Sequence, residues 1–318
     1  MGLKETIVNT YKSNLMKRFD DEITFYYSVK DFPNLKEEAY EFDSFKGVRL
    51  RGNFYYYPNY KENHIVVFDH GMGAGYTAYF KEIEMLCKKG YKVYSYDHTG
   101  CMKSDGSNSE GFLTSLADLD SCLTNLKKDF PNHDFSVMGH SWGAFSTSNI
   151  ASYHPDLKHV ISLAPLNSLS SILHQTFSGL LSFVYEDIYN LEASLNPNYA
   201  ESSTIKALKN YNGHALIIHS KDDKVLKVKH HFYKIQKELQ ESQNIEFLLV
   251  DKKGHNPNYT IEGLALLSKY LKERNKLIKQ GYFTNKELID DFNSKYDWDK
   301  ITKQDESIWN EIYRVLEK

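Results

Sequence analysis

Cysteine is scarce in this chain. Cys87, Cys101 and Cys122 are the only three in 318 residues, too few and too uneven for a disulfide framework. That points to a reducing compartment, and the cytoplasm is the expected location. Seven prolines and 17 glycines leave no Pro/Gly-rich linker, and no repeat or low-complexity stretch stands out. Apolar runs fall short of bilayer-spanning length at a mean hydropathy of −0.55, and the first residues carry no signal-peptide apolar core. Stable membrane insertion is therefore not expected. A net charge of −3 without a dense basic cluster gives no footprint for nucleic acid.

Two further absences narrow the chemistry. No G-x-x-x-x-G-K-[ST] occurs, and Gly71-Met72-Gly73-Ala74-Gly75-Tyr76 has Tyr76 where the dinucleotide fingerprint needs its third glycine. Adjacent His230 and His231 point to different sides of a helix, and no His-x-x-x-His or paired-Cys spacing supports them as metal ligands. A solvated helix face is expected there, and no metal.

What is present is an ordinary globular composition, 41% hydrophobic and 25% charged, long enough for a large core. Residues 3–16 carry a helical stripe of Leu3, Ile7, Val8, Tyr11 and Leu15. Residues 40–57 read as two antiparallel strands turning near Lys46-Gly47. Strand and helix patterns then alternate, which implies βαβ units and a parallel sheet. Strands are expected near 64–69, 91–97, 134–139, 158–164, 214–219 and 245–250, with helices near 77–89, 114–129, 142–153, 228–241 and 259–278.

Gly139-His140-Ser141-Trp142-Gly143 spells G-x-S-x-G directly after the β-like run Asp134-Phe135-Ser136-Val137-Met138. A nucleophile elbow needs that order: a strand that stops abruptly, a serine in a strained turn, and a helix starting at once. A serine hydroxyl is a poor nucleophile until a base takes its proton, and the base needs an orienting acid. In chains with this elbow the order is Ser, acid, His. Two later strands end in loops of the right kind: His214–His219 before Ser220-Lys221-Asp222-Asp223, and Ile245–Val250 before Asp251-Lys252-Lys253-Gly254-His255. Both loops lie past strand C-termini, where open α/β sheets place their ligand crevice. His255 is the base candidate.

Together these motifs resemble the α/β-hydrolase fold superfamily, in its esterase, monoacylglycerol-lipase-like and serine-aminopeptidase-like group, over roughly residues 40–278. The resemblance implies a mostly parallel eight-stranded sheet flanked by helices, with a helical cap insertion. It implies the acid at Asp223, with Asp222 as runner-up. It aligns the family's His-Gly-x oxyanion loop with His70-Gly71-Met72-Gly73, so that the Met72 and Trp142 N–H groups would face the oxyanion. One departure is visible. Where the family often has D-x-R-G-x-G-x-S, this chain has Asp97-His98-Thr99-Gly100-Cys101-Met102-Lys103-Ser104, without the Arg and the second Gly.

Three units are expected: an N-terminal helical extension (1–39), a hydrolase domain (40–280) and a C-terminal helical extension (281–318). The cap, about residues 165–212, fills a connection too long for a simple βα link, and its Leu173, Phe177, Leu181 and Tyr185, with His70, are expected to line the substrate pocket. In the tail, Thr284-Asn285-Lys286-Glu287 reads as a capping box, and Ile308, Trp309, Ile312, Tyr313 and Leu316 recur at helical spacing. The expected activity is hydrolysis of a small-molecule carboxylic ester through an acyl-enzyme, with no cofactor. Alternatives are an aminopeptidase or amidase, using cap carboxylates Glu186, Asp187 or Glu192 to hold an ammonium, and a binding protein without catalysis. The oligomeric state is left open.

Overall fold

The computed structural model describes residues 2–318. Eight strands form one sheet in the order β1-β2-β4-β3-β5-β6-β7-β8. They are β1 (Lys36–Asp43), β2 (Arg49–Tyr56), β3 (His64–Asp69), β4 (Lys92–Tyr96), β5 (Asp134–His140), β6 (His159–Leu163), β7 (His214–Ser220) and β8 (Ile245–Val250). β2 runs antiparallel to β1 and to β4, and all other neighbours are parallel. The chain builds outward from β3 to β4 and then returns to the other side of β3 for β5. That reversal opens a crevice at the C-terminal ends of β3 and β5.

The helices are α1 (Leu3–Leu15), α2 (Phe80–Lys88), α3 (Thr114–Asp129), α4 (Trp142–Asn149), α5 (Leu169–Thr176), α6 (Tyr185–Leu195), α7 (Thr204–Lys209), α8 (Phe232–Leu239), α9 (Ile261–Lys279), α10 (Lys286–Ser294), α11 (Trp298–Ile301) and α12 (Glu306–Leu316). Alternation along the strands sorts the core into two faces. Ile65 and Val67 of β3 join Leu116 and Leu119 of α3 and Phe232 of α8. Val66 and Phe68 join Ile83 of α2 and, from the far end of the chain, Trp309 and Ile312 of α12. The last helix thus completes the second layer of the main sheet. α9 does not. Its Tyr270 packs instead with Phe292 and Ile301 in a separate small cluster of the C-terminal segment.

Three local expectations need correction. β1 begins at Lys36, so a boundary at residue 39 falls inside a strand. Asn285, one residue later than the capping-box reading, is the N-cap of α10 and accepts from the Leu288 N–H. His231 is fully buried against His219 and Ser171, because the helix α8 starts only at Phe232 and the chain before it turns inward. Among the described residues no helix is long and apolar enough to cross a membrane.

Candidate active site

β5 ends at His140 and α4 starts at Trp142, which leaves Ser141 alone in the turn at φ +56° and ψ −112°. A non-glycine residue there carries backbone strain that only its surroundings can sustain. The surroundings are tight. A Cβ on Gly139 would overlap the Gly143 carbonyl, and one on Gly143 would overlap the Asp69 carbonyl. Both motif glycines are therefore demanded by close backbone approach, since neither has a positive φ. The Ser141 N–H donates to the Leu163 carbonyl of β6 (2.9 Å), pinning the turn to the neighbouring strand.

The structure brings three of the sequence-predicted residues together. The Ser141 hydroxyl lies 2.8 Å from Nε2 of His255, and Nδ1 of the same ring lies 2.8 Å from Oδ2 of Asp223. Asp223 is buried, and its Oδ1 accepts from the Val225 and Leu226 N–H groups. Burial alone would raise its pKa. Hydrogen bonding to His219 and His255 outweighs that and holds the carboxyl well below its usual range. The neighbouring Asp222 is turned elsewhere. It accepts from the Ser220 hydroxyl (2.5 Å) and the Gly254 N–H (3.0 Å), tying the His255 loop to the end of β7.

Met72 follows β3 by three residues, and Trp142 opens α4. Among the described residues neither backbone N–H has a hydrogen-bond acceptor. Their loop is held from behind by groups that the sequence reading did not single out. The Tyr79 hydroxyl accepts from the Gly71 N–H (3.2 Å) and lies 2.9 Å from Nδ1 of His140. Nε2 of His140 lies 2.7 Å from the His255 carbonyl. Burial, with His255 nearby, lowers the His140 pKa to about 3, so the ring is neutral. The consistent assignment has Tyr79 donating to Nδ1 and the Nε2–H donating to His255. One tyrosine and one histidine thereby link the His70–Met72 loop, the elbow and the His255 loop.

Below this lies a buried ionic cluster. His98 Nε2 is 3.1 Å from Asp69 and its Nδ1 is 3.4 Å from Asp118, with all three side chains sealed from solvent. Burial opposes a charge on His98, but the two carboxylates outweigh it and raise its pKa to about 10. Asp69 also accepts from the Ser146 hydroxyl of α4, and the His98 N–H donates to Nε2 of His70 (3.0 Å). His98 thus supplies a buried cation one residue before the position where the related pattern carries its Arg. Only its place in Asp97-His98-Thr99-Gly100 could have signalled it.

The expected pocket residues are not gathered at Ser141 in the same way. His70 is fully buried and its Nδ1 lies 2.7 Å from the Gly71 carbonyl, so it supports the loop from behind instead of lining a cavity. Leu173 is buried in the main core. Phe177 and Tyr185 share a cavity of about 330 Å³ whose walls do not include Ser141, while Leu181 is 40% exposed. Two of the three cap carboxylates are engaged, while Glu186 lines the cavity shared by Phe177 and Tyr185. Glu192 accepts from Tyr11 of α1 (2.5 Å) and from the Phe112 N–H (2.7 Å), and Asp187 pairs with Lys4. A cavity of about 760 Å³ lies between residues 22–26 and α10, and its walls do not include Ser141. A second, of about 550 Å³, reaches Gly73, Tyr79 and Asn256, next to the Met72 and His255 loops.

The model of the serine aminopeptidase family S33 matches residues 60–219, half of the chain. The protein belongs to that family, within the α/β-hydrolase superfamily. The matched span holds the His70–Gly73 loop and the elbow, and Asp223 and His255 follow it. No curated protein matches it in sequence. Among solved structures it is similar to the Pyrococcus furiosus esterase Pf2001, at 18% identity and a TM-score of 0.59, over 82% of this chain and 98% of that one. It is also similar to Est1E of Butyrivibrio proteoclasticus with ferulic acid bound (20%, TM-score 0.57, 74% and 96% covered) and to the Pyrococcus horikoshii acylaminoacyl peptidase (20%, TM-score 0.54, 71% and 38% covered). At such identities these likenesses speak for the fold.

Proposed function

We propose that this family member is a serine hydrolase that cleaves a small carboxylic ester through an acyl-enzyme. The observation that carries the reading is the unbroken hydrogen-bonded line from Asp223 through His255 to Ser141, 2.8 Å at each step. Nε2 of His255 takes the Ser141 proton as Oγ attacks the ester carbonyl. Asp223 keeps the ring in the tautomer that presents Nε2 and stabilises the imidazolium. The Met72 and Trp142 amides receive the oxyanion, each worth about 2.7–4 kcal/mol in the transition state. His255 then gives its proton to the leaving alcohol. Water, losing a proton to the same nitrogen, attacks the acyl carbonyl and frees Ser141 with the acid as product.

Residues 165–212, carrying α5 to α7, serve as the cap in this reading. Support comes from their contacts with the catalytic loops: Gln175 bonds the Val225 carbonyl and the Lys227 N–H beside the Asp223 loop. Through Glu192 the same segment holds Phe112, whose carbonyl accepts from the Trp142 indole. The family description gives an amide-cleaving second reading its weight. Against it stand the engaged carboxylates Glu192 and Asp187, which are not free to hold a substrate ammonium. All three cysteines are buried free thiols, which supports a cytoplasmic location.

The test is a fluorophosphonate probe with mass-spectrometric site mapping, run beside turnover of simple alkyl esters and aminoacyl anilides. Labelling at Ser141 with ester turnover supports the reading. Labelling elsewhere, or anilide turnover exceeding ester turnover, would replace it.

A further inference from the structure

The cleft of about 550 Å³ beside the site is built largely from chain outside the sheet core: residues 17–26 on one side and α9 with α11 on the other. Its volume falls within the range of small-molecule pockets. Its walls do not include Ser141 or His255 themselves, but three wall residues adjoin or brace the loops that carry the candidate groups. Gly73 adjoins Met72, Asn256 adjoins His255, and Tyr79 bonds to Gly71 and His140. Its aromatic and aliphatic wall residues include Phe25, Tyr26, Trp298, Leu271 and Ile301. Phe25 and Trp298 pack together with centroids 5.1 Å apart, joining the two terminal segments in a wall that this cleft shares with the cavity of about 760 Å³. The wall charges are largely neutralised: Arg274 pairs with Asp21 at 2.9 Å, and Arg18 pairs with Asp20 at 2.9 Å.

We infer that this cleft is the specificity subsite for the aromatic portion of the substrate, formed by the N-terminal segment and the C-terminal helices together. The inference rests on the hydrolase reading and adds the substrate class. Ring walls with internally paired charges favour a neutral aryl group by stacking and burial, and discriminate little among short alkyl groups. Because one wall comes from residues 17–26, the N-terminal segment is part of the binding surface.

The experiment compares ethyl butyrate with 2-naphthyl acetate and ethyl 2-naphthoate in a pH-stat, for wild type, Phe25→Ala and Leu271→Trp. Leu271 is a partly exposed helix position at 37%, so that substitution fills the cleft without opening a core. The expected result is a roughly tenfold drop in kcat/KM on the better naphthyl ester, mostly in KM, with ethyl butyrate within about twofold of wild type. Parallel losses on all esters, or no change on either naphthyl ester, overturn the subsite. Should wild type neither turn over esters nor take the fluorophosphonate, the hydrolase reading fails by itself. Calorimetric binding of 2-acetylnaphthalene then decides the cleft: binding weakened at least fivefold by Leu271→Trp supports it, and absent or unchanged binding overturns it.

Discussion

The elbow and the cap are held in place by different means. Around Ser141 the geometry comes from backbone against backbone: Gly139 on the Gly143 carbonyl, Gly143 on the Asp69 carbonyl, the Ser141 N–H on β6. Around residues 165–212 and the terminal segments it comes from side chains reaching across, such as Glu192 to Tyr11, Arg274 to Asp21 and Lys253 to Asp305. Backbone contacts tolerate almost no substitution, whereas a side-chain brace can be exchanged residue by residue. On the proposed function, reaction geometry resides in the rigid part, and selectivity in the part that can be rebuilt.

The comparison breaks first, if it breaks, at the elbow. Ser141→Ala should lower turnover by about 10⁴-fold or more, since triad members act as a unit. Retained activity in steady-state kinetics would sink the assignment. Asp223→Asn should approach the same loss, about 10⁴-fold in kcat by analogy with the triad aspartate of serine proteases. Asp222→Asn should cost less than tenfold, because that carboxylate braces the Gly254 backbone and does not touch His255. Equal losses for the two aspartates would mean that loop bracing, not orientation of His255, is what Asp223 provides.

Tyr79→Phe sharpens the comparison from the second rank. It removes the hydroxyl shared by Gly71 and His140, leaving buried groups unpaired at about 1–3 kcal/mol, or roughly a tenfold fall in kcat. Melting temperature and kcat should be read together, and a fall in stability with kcat intact would reduce Tyr79 to a structural brace. On the cap side, Glu192→Gln keeps the shape of the Tyr11–Glu192–Phe112 brace. It should change kcat/KM by less than about fivefold, equivalent to roughly 1 kcal/mol. A larger effect would show the cap to be as exacting as the elbow.

The last expectation concerns stability against pH and not turnover. His98 has a pKa raised from 6.5 to about 10, so its stabilising charge is fully present below 6.5 and is lost as pH rises through about 10. Thermal melts should decline over that interval in wild type. His98→Gln should be less stable at neutral pH and show a flatter decline. A wild-type profile flat over the interval would mean that the Asp69–His98–Asp118 cluster holds no proton of this kind.

Much of this was legible in the chain itself. Strand and helix positions follow from periodicity, because burial on a sheet or a helix repeats every two or 3.6 residues. The candidates Ser141 and His255 were legible because each sits just past a strand end, in loops short enough for local order to mark them. Asp223 over Asp222 rested on resemblance alone, and the folded loops separate them by pointing the two carboxylates at different partners. The Tyr79–His140 link was not legible, since its members are 61 positions apart, Tyr79 belongs to no motif and His140 fills a variable position of G-x-S-x-G. Nor was the role of the tail. Periodicity revealed an amphipathic helix near Trp309, yet α12 covers the main sheet while α9, nearer in sequence, turns its Tyr270 to Phe292 and Ile301. An apolar stripe states that a face must be buried and leaves its partner unspecified. Sequence by itself determined the elements and the candidate Ser141 and His255, whose signals are local. Only the tertiary structure decided which distant segments brace the loops and wall the cleft, because those contacts depend on how the whole chain closes around the sheet.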